Sequence, residues 1–148
     1  TEEDIIAEMT VEHVMDTLGV EIREETPLRK VLELFSESEQ LIYPVVNEQG
    51  RIIGVMQLSA MKDVLPNQDT WDWIVAGDVA EPVVDQTSSG APLETALQRL
   101  NDLDLEQMPV VEHGSPVGML DRRHAHRRIN EALFQRQQAK MQPGIELA

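Results

Sequence analysis

The sequence predicts an α/β fold built by duplication, two βαββα repeats packed against each other, on three observations. First, the apolar–turn–apolar stretch Leu41–Met56 (LIYPVVNEQGRIIGVM) returns as Glu106–Leu120 (EQMPVVEHGSPVGML). Second, the echo keeps one offset. Pro44 and Pro109, Pro27 and Pro92, and His13-Val14-Met15-Asp16 and Asp78-Val79-Ala80-Glu81 are each 65 residues apart, and after a turn shortened by one residue Gly54 and Gly118 are 64 apart. Third, helix-spaced apolar positions precede each of these stretches. So long a period marks a duplicated small domain rather than a solenoid unit.

Each repeated stretch reads as a hairpin, because five or six apolar, largely β-branched residues are bounded by Asn, Glu and Gly. The near-continuous apolar runs predict buried strands. Pro44 and Pro109 cannot donate to a ladder and are expected at an edge or a bulge.

Ahead of the first hairpin, Thr1–Met9 carries Ile5, Ile6 and Met9 at helical spacing. Thr10–Thr17 leads into the first repeat, and Val20–Ile22 forms a short strand. Thr26 as N-cap with Pro27 in the first helical position starts a helix whose apolar face is Leu28, Val31, Leu32 and Phe35. After the hairpin, Ser59 is placed to cap a second helix, Ala60–Leu65, which Pro66 stops.

Residues 10–65 are thus the first repeat, 66–77 a connector and 78–138 the second repeat. In the connector, Asp69 caps a turn carrying Trp71 and Trp73, expected to seal the junction, with a stacking platform for a base as the alternative. The second repeat has a helix near Pro92–Asn101, its hairpin, and a long closing helix Arg122–Gln138 with Ile129, Leu133 and Phe134 as a narrow apolar stripe, which either packs within the chain or forms a seam with a second copy.

Halves of roughly 60 residues are marginal alone, so they are expected to pack together and to gain from dimerisation. The chain has no Cys, which excludes disulfides and thiolate zinc sites. No apolar run reaches the roughly 18 residues of a membrane span, no signal peptide is visible, and no direct membrane insertion is expected. The start at Thr1 suggests a piece of something longer. Residues 1–121 hold 25 Asp/Glu against 6 Lys/Arg, a formal −19, and residues 122–148 hold 2 against 6, +4. Such an acidic body repels polyanions, which argues against nucleic acid as a partner.

Among the four His, His124 and His126 point to nearly opposite sides of a helix and do not share an ion. His113 falls in a turn, and His13 is expected to bond locally. Asp102, Asp104 and Glu106 read as a solvated loop, with divalent-cation attraction as the alternative. No catalytic residue and no metal ligand is assigned, since no phosphate loop, HExxH or GxSxG occurs.

The segments HVMD (13–16), YPVV (43–46), GVMQLSAM (54–61), MPVV (108–111) and GMLDRRHA (118–125), at matched offsets, resemble the cystathionine-β-synthase (CBS) domain in tandem. WIVAGDVAEP (73–82) and GMLDRRHAHRRINEAL (118–133) look most like the cytoplasmic pair of bacterial chloride channels and transporters. The resemblance implies a pseudo-two-fold pair, a homodimeric disc, and a non-catalytic regulatory role on the cytoplasmic side of an inner membrane, with the membrane-spanning part of the parent protein as partner. It also implies adenine nucleotide as the family's ligand, held between repeats.

The implied cleft residues are Tyr43, Pro44, Gln57, Ser59, Ala60 and Val83 for one motif, and Met108, Pro109, Asp121, Arg122, Arg123 and His124 for the other. The family's hydroxyl residue, which meets phosphate at a helix N-terminus, is replaced by Gln57 and Asp121, and its ribose-binding Asp by Ala60 and His124. Each unmet polar group in a buried site costs roughly 1–3 kcal/mol. Weak or absent nucleotide binding is expected at the first motif and an altered ligand at the second, with Arg122 and Arg123 able to offset Asp121 if they turn inward. The alternatives are a structural dimerisation module with vestigial clefts, or a free-standing sensor of adenylate or divalent cations.

Overall fold

The computed structural model describes residues 1–38 and 40–147, with side chains as far as Lys140. α1 (Glu2–Glu8) is capped by Thr1, whose hydroxyl accepts the Asp4 N–H. Six strands follow, β1 (Asp16–Thr17), β2 (Ile22–Arg23), β3 (Ile42–Val46), β4 (Ile52–Gln57), β5 (Gln107–Glu112) and β6 (Ser115–Asp121). They form two three-stranded sheets, ordered β2-β3-β4 and β1-β6-β5. The helices are α2 (Leu28–Ser36), α3 (Ala76–Val79), α4 (Leu93–Asp102) and α5 (Arg122–Leu147).

The lead-in of each repeat joins the sheet of the other. β1, at the start of the first repeat, pairs antiparallel with β6, while Glu81, 65 residues on, bridges Val55 of β4. The exchange continues bond for bond. Leu28 N–H donates to Ile74 O and Leu93 N–H to Met9 O; Ala76 N–H donates to Thr26 O and Val11 N–H to Ala91 O. Parallel pairing of Ile22 with Val45 is matched by Thr87 with Val110. A pseudo-two-fold axis therefore relates the repeats, and neither sheet is complete without the other's lead-in.

Two cores record the same exchange. Val11 and Val14 are fully buried with Leu93, Leu100, Met108, Leu120 and Ile129, in the core of the second hairpin. Ala76 is buried with Ile22, Leu28, Val31, Tyr43 and Met56, in the core of the first.

Both proline-marked strands carry an irregularity just past the proline, between Val45 and Val46 and between Val110 and Val111. Pro44 nevertheless lies in a central strand, where pairing with β2 begins only at Val45. Thr87 donates to Pro109 O and accepts from Val111 N–H, so the donor Pro109 lacks would face away from β6. The second turn places His113 (φ 52°) and Gly114 (φ 82°) both in the left-handed region, the two-residue connection that suits hairpin twist.

Several local expectations are corrected. Pro27 is itself the N-cap of α2, extended at ψ 145°, so Thr26 lies one residue outside. Ala60–Leu65 is no α-helix, and Ser59 is no cap: a 3-10 turn, Leu58–Met61, follows Gln57, which makes no side-chain cap bond. The equivalent residue in the second repeat, Asp121, accepts the His124 N–H and starts a 26-residue helix. Asp69 likewise lies inside a 3-10 turn, Gln68–Thr70, rather than capping one. Trp71 packs on the first core, its indole donating to Val64 O under the Arg29 guanidinium. Trp73 is 84% exposed and seals nothing. Along α5, Ile129 is buried but Phe134 is 60% exposed.

Candidate ligand cleft between the repeats

α5 begins where β6 ends; the Arg122 N–H donates to Glu106 O, and the His124 N–H meets the Asp121 carboxylate beside the space between the repeats. Free N–H groups and the helix dipole make such an end attractive to an anion. Here the chain supplies the anion itself. Asp121 is 2% exposed, and its Oδ1 accepts the His124 N–H at 3.0 Å. Its Oδ2 accepts the Gln107 side-chain amide at 2.8 Å, and the Gln107 oxygen accepts the Ile42 N–H at 3.1 Å. Burial pushes the Asp121 carboxyl up, but the Gln107 amide, the His124 N–H and charge, and the Arg123 N–H together outweigh it and hold the pKa below the usual carboxylate range.

His124 Nδ1 lies 2.6 Å from Asp16 Oδ2, and Arg128 lies 2.8 Å from Asp16 Oδ1 while also donating to Val14 O. Polar contacts thus run from Ile42 in the first repeat through Gln107, Asp121 and His124 to Asp16 on β1. They face a cleft of about 350 Å³, whose further walls include Leu18, Gly19, Gln40 and Arg123. Gln40 fastens this wall, its amide bonding Val20 N–H, Val20 O and Ile42 O.

The pseudo-symmetric position is nearly closed. Val55, Gln57, Val83, Leu105 and Pro109 leave about 20 Å³ there. A separate, larger cleft of about 520 Å³ opens beside it, lined by Phe35, Tyr43, Gln57, Ser59, Asp104 and Glu106 among others. Phe35 and Tyr43 stack with ring centroids 4.4 Å apart. The Tyr43 hydroxyl is buried and has no hydrogen-bond partner among the described residues.

The structure brings Asp121, Arg123 and His124 together at one cleft, and Gln57, Val83 and Pro109 at its counterpart. Tyr43 and Ser59 join Gln57 at the larger cleft. Pro44 and Met108 are buried within their sheets. Ala60, at the foot of the 3-10 turn, is exposed and lines none of these clefts. Arg122 does not turn inward: it donates to Leu100 O and lies 3.9 Å from Glu106.

Asp16, Leu18, Gln40 and Gln107 were missed by sequence reasoning. The duplication held the signal for two of them, since Asp16 and Leu18 stand 65 residues before Glu81 and Val83. Nothing in a single sequence places Gln107 against Asp121. His13 bonds locally as expected, its Nδ1 accepting the Thr10 N–H. Among the described residues, the one group of His and carboxylates close enough to share a cation is Asp16, Asp121 and His124, rather than Asp102, Asp104 and Glu106. No described helix is long and apolar enough to cross a membrane.

Comparison with known proteins agrees with this architecture. The chain is 26% identical over 122 residues to the chloride channel protein ClC-Ka of Rattus norvegicus, covering 74% of this chain and 18% of that protein. It thus spans less than a fifth of the curated relative it matches. The putative acetoin utilization protein AcuB from Vibrio cholerae superposes with a TM-score of 0.75 at 15% identity, over 88% of this chain and 96% of that one. The CBS domain of a bacterial CNNM/CorC family Mg²⁺ transporter, solved in complex with ATP, superposes with a TM-score of 0.73 at 20% identity, over 86% of this chain and 92% of that one. The CBS-domain family model matches residues 7–65 and again 76–131, and the chain belongs to that family as a tandem CBS pair.

Proposed function

We propose that this chain is a non-catalytic regulatory CBS pair, the cytoplasmic portion of a chloride channel or transporter. The exchange of lead-ins carries this reading. Because β1 belongs to the sheet of the second repeat and Glu81 bonds the first, anything that moves one repeat pulls on the backbone entering the other. A ligand or partner touching both repeats at the cleft shifts their packing by as much as its affinity differs between the two arrangements. The likeness to ClC-Ka supports attachment to a chloride channel, and the CNNM/CorC structure is a transporter-associated relative of the same fold.

Adenine nucleotide is not the ligand we assign to the second cleft, because the Asp121 carboxylate already occupies the helix end a phosphate would use. The moving bodies are the two sheets, each with the lead-in it takes from the other repeat. Cloning the gene upstream of this segment is the direct test. Channel-type membrane-spanning segments support the assignment, and their absence would remove the channel while leaving the CBS pair.

The second reading is a structural dimerisation module, favoured by the closed first cleft and by the exposed Phe134 on a basic helix facing an acidic body. Sedimentation tests it, since a strictly monomeric chain excludes a scaffold built on self-association.

A further inference from the structure

We infer that Asp16, Asp121 and His124 form a binding site for a divalent transition-metal ion, of which Zn²⁺ is the type. One ligand atom from each residue lies within 4.8 Å of the other two. The Nδ1 of His124 is 2.6 Å from Asp16 Oδ2 and 3.9 Å from Asp121 Oδ1. Ligands at about 2.0–2.2 Å from a tetrahedral ion stand about 3.3–3.6 Å apart, so small side-chain rotations convert the cluster into a coordination shell.

Two features go beyond proximity. Each carboxylate has its outer oxygen held from outside the cluster, Asp121 Oδ2 by Gln107 and Asp16 Oδ1 by Arg128. That leaves Oδ1 of Asp121 and Oδ2 of Asp16 turned toward His124, the kind of outer support that orients metal ligands. Finally, the cluster opens on the 350 Å³ cleft, which gives an entry path and room for water in the remaining positions.

One imidazole with two carboxylates is a nitrogen–oxygen donor set suited to Zn²⁺ or Mn²⁺, while Mg²⁺ prefers oxygen alone. The duplication supplies an internal contrast. The pseudo-symmetric positions are Glu81, Gln57 and Ala60, a single carboxylate with no imidazole. A bound ion would fasten β1 to the start of α5, locking the exchanged lead-in to the second repeat.

The test is calorimetric titration of chelator-treated chain with Zn²⁺, Mn²⁺ and Mg²⁺, on wild type, H124Q and D16N, with circular dichroism to confirm folding. One Zn²⁺ per chain is expected, weakened at least tenfold in both variants, with Mg²⁺ much weaker. Relaxation of imidazole NMR signals by substoichiometric Mn²⁺ needs no variant, and His124 should broaden before His13, His113 and His126. Absence of binding at millimolar ion, binding unchanged in both variants, or broadening without preference for His124 would overturn the site. None of these outcomes bears on whether the chain belongs to a channel.

Discussion

Gly118 lies directly against the backbone of Asp16: a Cβ on Gly118 would stand 2.6 Å from the Asp16 carbonyl oxygen. Gly54 faces Glu81 in the same way, at 2.7 Å. The two glycines sit where each lead-in crosses the other repeat's hairpin, and backbone on both sides leaves no flexible atom to yield. Their place in the repeated hairpin is thus explained by the exchange of strands rather than by a turn.

Gly118→Ala and Gly54→Ala are each expected to destabilise the fold by about 1–3 kcal/mol, because an inserted methyl forces the paired strands apart. Gly90→Ala is the control, with nothing within 4 Å of its added Cβ, and should stay within about 0.5 kcal/mol of wild type. Urea unfolding of the three variants measures this.

Tyr43→Phe should be neutral or stabilising by up to about 1 kcal/mol. The hydroxyl it removes is buried and has no hydrogen-bond partner among the described residues, so its loss recovers a desolvation penalty while keeping the stack on Phe35. A clear loss of stability by thermal unfolding would mean that this hydroxyl has a partner in solution.

Gln107→Ala removes the amide that ties Ile42 to Asp121 across the repeats. Two buried or half-buried groups lose their partner, so destabilisation of about 1–3 kcal/mol is expected by denaturant unfolding. Gln40→Ala, which frees the Val20 segment on the other wall of the cleft, should act mainly on local protection, read by hydrogen exchange at the Val20 N–H that Gln40 accepts.

Glu112 accepts both the hydroxyl and the N–H of Ser89, and those bonds hold its pKa below the ordinary glutamate value. A carboxylate whose pKa is depressed by folding contributes stability that is present above its unfolded pKa and lost as pH falls through the folded one. Ser89→Ala should therefore raise the Glu112 pKa in an NMR titration and flatten the loss of stability on the acid side of pH 4.5. An unchanged Glu112 titration would show that the Ser89 hydroxyl contributes nothing to it.

The duplication made much of the fold legible. The offset of 65 set both hairpins, both buried helix faces and the pairing of prolines, because all depend on local apolar period and turn residues. What it hid was which sheet each lead-in joins: residues 10–17 read as the head of the first repeat, yet Val11, Val14 and Asp16 pack and pair with the second. Strand exchange leaves no periodic trace. Ser59 misled for a related reason, since a hydroxyl before an apolar run looks like a cap whether or not the backbone beyond it turns α-helical. At the cleft, Asp121 and His124 were found through their departure from the family pattern. Asp16 was not, because its role depends on an approach across 108 residues of chain.

Asp121 serves as the chain's own anion at the start of α5, in the place of a ligand phosphate. The decisive measurement is thermal unfolding with millimolar AMP, ADP, ATP and S-adenosylmethionine, each with and without Mg²⁺. A ligand at 100 times its dissociation constant would add about 2.7 kcal/mol and raise the midpoint by several degrees. No shift is expected for wild type with AMP, ADP or ATP; a rise with any of them would mean that Asp121 does not keep phosphate out.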